Sequence, residues 1–133
     1  MVVVDSSVWI DYFNGVHNPA HEILRKLLHE GDVRIVVPDL VLFEVLRGFR
    51  HERDFRQARL MLASLSVEDG VGADMATLAA QQYRALRAQG VTPHASIDVL
   101  VANFCIENDY LLLHRDRDFD AFEHLRGMRT WQH

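Results

Sequence analysis

VVVDSSVWIDYFNG, residues 2–15, opens with three β-branched residues and then changes its period. Val2–Val4 has the composition of a buried strand. The run stops at Asp5. Ser6 or Ser7 is placed to cap a helix whose apolar members are Val8, Trp9, Tyr12 and Phe13, and Asn14-Gly15 ends it. A short apolar strand thus leads into an amphipathic helix through an acidic residue, and the rest of the chain continues the alternation.

Asn18-Pro19 starts a second helix, with Ile23, Leu24, Leu27 and Leu28 on one face and Gly31 as its stop. Val33–Val37 reads as a strand ending at Pro38. DLVLFEVLRG, residues 39–48, reads as a helix capped by Asp39 and ended by Gly48; being apolar nearly all round, it is expected to be deeply buried. A helix from Glu52 to Leu65 presents Phe55, Ala58, Leu62 and Leu65, and Ser66-Val67 forms a short strand. Met75, Ala79, Tyr83 and Leu86 give helical spacing between Gly72 and Ala88. Ser96 is expected to cap a helix striped by Ile97, Leu100, Val101 and Phe104. Asn108-Asp109 then turns the chain into a strand, Tyr110–Leu113. A short helix near Phe119–His124 and a final strand, Met128–Trp131, complete the pattern. Strands alternating with helices predict an α/β fold with a mostly parallel sheet. A chain of 133 residues is the size of one domain, spanning residues 1–133.

Composition narrows the chemistry. Cys105 is the only cysteine, which excludes an internal disulfide and a thiolate zinc site. Residues 1–7 lack a signal peptide's basic start and apolar stretch, and no apolar run approaches the ~20 residues of a membrane span. A soluble cytoplasmic protein without a membrane association is expected. The formal net charge of −5 runs against the basic footprint of many nucleic-acid binders. A metal-binding carboxylate cluster would itself lower that sum. All basic residues but Lys26 are arginine, which suits bidentate phosphate contacts. There is no GxxxxGK[ST], no GxGxxG and no HExxH. His17 and His21 share i,i+4 spacing without an obvious third ligand and read as surface histidines.

The acidic residues carry the stronger signal. In open parallel sheets, ligands sit beyond the carboxyl ends of the strands. Asp5 directly follows the first strand, and Asp116 lies three residues after Tyr110–Leu113. Glu44 sits within an apolar helix, where burying a charge is costly. Asp98 lies in a first helical turn. Four carboxylates able to converge on one sheet edge suit Mg²⁺ or Mn²⁺, which prefer hard oxygen ligands. Without a cation they would repel and raise one another's pKa values. Asp11, within the first helix, is expected to face solvent.

VVVDSSVWIDYFNG, PDLVLFEVLRG and SIDVLVANFCIENDYLLLHRDRDFD, taken in order over nearly the whole chain, closely resemble the PIN-domain family, and within it the VapC-type toxins of bacterial toxin–antitoxin pairs. The resemblance implies a three-layer α/β/α fold and an endoribonuclease dependent on Mg²⁺ or Mn²⁺, leaving 5′-phosphate and 3′-hydroxyl ends. It matches the family's four acids to Asp5, Glu44, Asp98 and Asp116 as catalytic and metal-binding residues. Ser7 matches the polar residue that supports a carboxylate or water, and Asp118 stands where some members carry an extra acid. His114 stands where many relatives have Ser or Thr. The resemblance also implies an RNA substrate, a homodimer and a cognate antitoxin lying in an apolar groove, and Trp9 is a candidate for that contact. Arg47, Arg50, Arg115 and Arg117 lie near the motifs as candidate phosphate contacts. Two other readings stay open: a non-catalytic RNA- or protein-binding module, and a phosphatase with an aspartyl nucleophile. The second usually shows a DxD loop, where this chain has Asp5-Ser6-Ser7.

Overall fold

The computed structural model describes residues 1–132. Four parallel strands form its sheet: β1 (Val2–Val4), β2 (Ile35–Pro38), β3 (Ser66–Glu68) and β4 (Leu111–Leu113), in the order β3-β2-β1-β4. Val2 pairs with Ile35 on one side and Leu111 on the other, so β1 is central. Val2, Val3 and Val4 are wholly buried, as a strand covered on both faces requires. Helices α1 (Ser6–Asn14), α2 (Pro19–Glu30), α3 (Asp39–Leu46), α4 (Glu52–Ala63), α5 (Ala73–Ala88), α6 (Ser96–Asn108) and α7 (Asp120–Arg126) flank the sheet, with a 3₁₀ turn at Arg117–Phe119. This is the three-layer α/β/α architecture. Among the described residues no helix is long and apolar enough to cross a membrane.

The topology locates a crevice before any side chain is considered. From β1 the chain moves outward to β2 and β3, then returns past β1 to add β4 on its far side. The winding direction reverses between β1 and β4. Their carboxyl ends therefore flank the switch point, where helices diverge and ligands gain access. The Asp5 N–H donates to the Leu113 carbonyl at 2.9 Å, tying the two strand exits together.

Several local expectations are corrected. Asp5 itself is the N-cap of α1, accepting from the Ser7 N–H, so neither serine has that job. Pro38 precedes α3, and Asp39 is its first residue; Asp39 Oδ1 instead accepts the Leu40 and Gly70 N–H groups, each at 2.9 Å. Ala95 precedes α6, with Ser96 already helical and making no cap. Met128–Trp131 contributes only a single bridge, Leu112 to Thr130, because the chain leaves the sheet after one pairing. α3 is buried on one side only: Val41 and Val45 face the core, while Phe43 is 57 % exposed. Trp9 is fully buried, stacked beside Phe13 and edge-on to Tyr12, so it belongs to the core and offers no surface to a partner.

Candidate active site

Asp5 leaves β1 into the switch-point crevice and is 4 % exposed. Its N-cap backbone turns the side chain back over the first turn of α1. Oδ2 accepts the Ser7 hydroxyl at 2.6 Å and the Ser7 N–H at 3.3 Å. Oδ1 is buried and, among the described residues, has no hydrogen-bond partner. Burial pushes this carboxyl above the usual aspartate range. The Ser7 bonds pull it down, and the charge of Glu44 pushes it up again.

Glu44 reaches the same crevice from α3. It accepts a hydrogen bond from the Ser6 hydroxyl, and Arg47 stands 3.9 Å from its other oxygen. Sequence reasoning passed over Ser6 in favour of Ser7. The two neighbours divide the work, Ser7 holding Asp5 and Ser6 holding Glu44. The signal available was the pair of hydroxyls directly after the strand.

Asp98 arrives from the first turn of α6, and Asp116 and Asp118 from the segment after β4. These three can bring carboxylate oxygens within 4.8 Å of one another. Asp116 Oδ1 accepts the Asp118 N–H at 2.9 Å, which opens the 3₁₀ turn. His114 Nδ1 accepts the Asp116 N–H at 3.2 Å, the function that a hydroxyl residue could serve at this position. Asp98 senses the whole set. Burial, followed by the charges of Asp5, Asp116, Glu44 and Asp118, pushes its carboxyl up to about 7. All five acids therefore share one electrostatic neighbourhood.

A divalent cation suits this arrangement. The donors are all carboxylate oxygens, and a buried Asp5 oxygen lacks a partner. An unpaired buried acceptor is unfavourable unless something positive meets it. Mutual repulsion around Asp98 calls for the same remedy.

Two other predicted placements change. Asp11 is buried rather than solvent-facing, and Arg115 Nε lies 2.6 Å from its Oδ2. Arg115 is thereby committed to a carboxylate. His21 is also buried, with Nδ1 lacking a hydrogen-bond partner among the described residues; its ring packs against Tyr12 and His17. His17 remains exposed and pairs with Glu22 at 3.1 Å, away from the acidic set. Cys105 is buried, and its thiol is pushed well above the ordinary range by burial, which makes it inert as a nucleophile.

Comparison with known proteins places this geometry. VapC ribonuclease Mb1587 of Mycobacterium bovis is 30 % identical over 133 residues, covering 98 % of this chain and 97 % of that protein. Among solved structures, VapBC2 of Rickettsia felis, bound to a promoter DNA fragment, superposes with a TM-score of 0.76 at 16 % identity, covering 99 % of this chain and all of that one. VapC20 of Mycobacterium tuberculosis, described as a sarcin–ricin loop cleaving toxin, gives a TM-score of 0.69 at 20 % identity, covering 91 % and 94 % of the two chains. These two likenesses are of fold. The PIN domain model matches residues 2–125. With nearly its whole length matched both by that model and by a ribonuclease relative, this chain belongs to the PIN-domain family, in its VapC ribonuclease branch.

Proposed function

We propose that the protein is a Mg²⁺- or Mn²⁺-dependent endoribonuclease, the toxin of a VapBC-type pair, and that Asp5, Glu44, Asp98 and Asp116 form its catalytic and metal-binding set. The observation that carries this reading is the convergence of these acids on the β1–β4 switch point, with an unpartnered Asp5 oxygen among them.

When bound, a divalent ion supplies Lewis acidity and positive charge, acidifying water and offsetting charge on the scissile phosphate. The chain's own residues do the holding. Asp5 offers Oδ1 because Ser7 occupies Oδ2, so the carboxylate cannot swing. Asp116 and Asp98 supply oxygens from the opposite wall. Glu44, fixed by Ser6, completes the negative pocket or orients water. Asp118, whose carboxylate lies within 4.8 Å of those of Asp98 and Asp116, would help to hold an ion there. Water rather than an RNA 2′-hydroxyl is the nucleophile, so products carry 5′-phosphate and 3′-hydroxyl ends. Arg47 beside Glu44 and Arg117 beside Asp116 are suited to the phosphates flanking the cut.

The partners follow the same reading. The VapBC likeness supports a cognate antitoxin, and a surface groove of about 580 Å³ is available to it, lined by Tyr12, Phe13, Phe49 and Met61 together with Arg50 and Asp54. An amphipathic helix in that groove is a suitable contact. The protein acts as a homodimer, with residues 1–133 as one ribonuclease domain. The test is end mapping after cleavage by purified protein: wild type with Mn²⁺ should leave ligatable 5′-phosphates, and Asp5→Ala should leave none. Metal-independent products with 2′,3′-cyclic ends would overturn the mechanism. A folded wild type that cuts no RNA but binds it would favour the non-catalytic module.

A further inference from the structure

We propose that Asp11 is a positioning residue, a buried strut that grips Arg115 and so holds the neighbouring Asp116 in the acidic cluster. The proposal rests on the reading of Asp116 as a metal-binding residue.

Asp11 sits in α1, one turn and a half beyond the Asp5 cap, and is 7 % exposed. A buried carboxylate is strongly unfavourable unless it is paired and hydrogen-bonded. Here both conditions hold. Arg115 Nε lies 2.6 Å from Oδ2 and its Nη2 lies 3.4 Å from Oδ1, so the guanidinium grips both oxygens. Asn18 Nδ2 donates to Oδ2 at 2.9 Å, while Asn18 Oδ1 accepts the His21 N–H at 2.9 Å. The carboxylate is therefore fastened to the start of α2 as well as to α1.

At its other end the strut reaches the irregular segment after β4, where His114 Nδ1 also holds the Asp116 N–H at 3.2 Å. Asp116 lies between the end of β4 and the 3₁₀ turn, where no strand ladder holds the backbone. Its backbone is extended, with φ −112° and ψ 127°. Successive side chains on extended backbone point to opposite sides. With Arg115 pinned toward α1, the adjoining Asp116 keeps a carboxylate oxygen within 4.8 Å of those of Asp98 and Asp118. Asp11 reaches the site only through Arg115, and a pair 104 residues apart in sequence spans the α1 and β4 walls of the crevice.

The test is Mn²⁺ affinity, measured by calorimetry and by the metal-induced shift in melting temperature. Asp11→Asn, which keeps shape but loses the charge, and Arg115→Lys, which keeps the charge but loses the two-point grip, should each weaken Mn²⁺ binding about 10-fold or more, the scale of outer contacts that orient ligands. Their combination should weaken it little further, as for one shared interaction. Cleavage should recover most of its wild-type rate at saturating Mn²⁺, which separates positioning from chemistry. Asn18→Ser keeps a cap for α2 but drops the bond to Asp11, and should lower the melting temperature with Mn²⁺ affinity changed less than threefold. Should Asp11→Asn fail to fold, Arg115→Lys at its half-exposed site carries the measurement. Wild-type Mn²⁺ affinity in a destabilised Asp11→Asn or in Arg115→Lys would overturn the strut. Asp116→Asn is the reference: if it too binds Mn²⁺ like wild type, the underlying reading of the site has failed, and the strut with it.

Discussion

The two walls of the acidic crevice are built differently. On the β1 side, Asp5 and Glu44 are each held by a serine hydroxyl supplied by the first turn of α1. Those bonds are set as soon as β1, α1 and α3 pack, and they leave one buried oxygen free. On the β4 side, Asp98, Asp116 and Asp118 crowd their oxygens within 4.8 Å, and Asp116 takes its bond from a backbone N–H. Asp98 is pushed up to about 7 there, by burial first and then by the charges of Asp5, Asp116, Glu44 and Asp118. One wall is organised by the protein in advance. The other is organised against its own charge, and a cation would complete it.

The sharpest break of that contrast is loss of an acid from either wall. Asp5→Ala and Asp116→Ala should each lower the cleavage rate by roughly 10³-fold or more, as for a member of a cooperating catalytic set. Their stabilities should diverge. Asp5→Ala removes the α1 cap, worth about 1 kcal/mol, whereas Asp116→Ala loses the bond that opens the 3₁₀ turn but also a repelling charge, so in metal-free protein it should melt nearer wild type. Cleavage assays and thermal melts in EDTA read both. Activity retained by either variant in Mn²⁺ removes that residue from the set.

The pattern of what the sequence disclosed follows the same physics. Asp5 and Asp116 were visible because β-branched or leucine-rich strands end beside them, and Glu44 because it interrupts an apolar helix. Those are local signals. Asp11 was misread because its partner, Arg115, lies 104 residues away, and a charged residue on an amphipathic helix otherwise belongs outside. His21 went the same way, buried by the aromatic ring of Tyr12 from the neighbouring helix. The caps at Ser96 and Asp39 failed because good capping residues stood one position too late, and tertiary packing fixed the helix starts. Phe43 shows the limit of composition: an apolar helix was expected to be buried all round, yet its ring faces outward, with Arg47 over it at 5.6 Å.

A second, smaller effect is a pH dependence, to which the raised carboxyls of Asp5 and Asp98 contribute in the same direction. Asp98 has a folded pKa of about 7, above its ordinary 3.8. Between those values the folded protein binds more protons than the unfolded one, so metal-free stability should rise as pH falls from above 7 toward 4. Solvent screening of this partly buried group holds the gain to about 1 kcal/mol. With Mn²⁺ present the trend should reverse through the same window, because protonation competes with the ion and releases it. Saturating the site a hundredfold above its dissociation constant should stabilise the protein by about 2.7 kcal/mol at pH 8. Melts across pH 5–8, with and without Mn²⁺, test the pair of slopes; parallel slopes would show that Asp98 does not answer to the cation.

The smallest effect isolates Asp98 from every other acid. Asp98→Asn keeps the side chain's shape in the first turn of α6 but removes the charge that Asp5, Asp116, Glu44 and Asp118 repel. Loss of a favourable helix-dipole interaction would lower stability by about 0.3–1 kcal/mol. Relief of repulsion acts in the opposite direction and, with four like charges nearby, should prevail at pH 8. Metal-free Asp98→Asn should therefore melt at or above the wild-type temperature there, and its stability should depend less on pH between 5 and 8. In Mn²⁺ the order should invert, since the variant offers one fewer anionic oxygen and should gain clearly less than wild type. A residue that merely favours the start of α6 would behave otherwise: the variant would melt lower in EDTA, and both proteins would gain equally from Mn²⁺. The sign of the metal-free difference and the size of the metal-induced gain are independent measurements, so together they distinguish a member of the repelling wall from a helix-end charge.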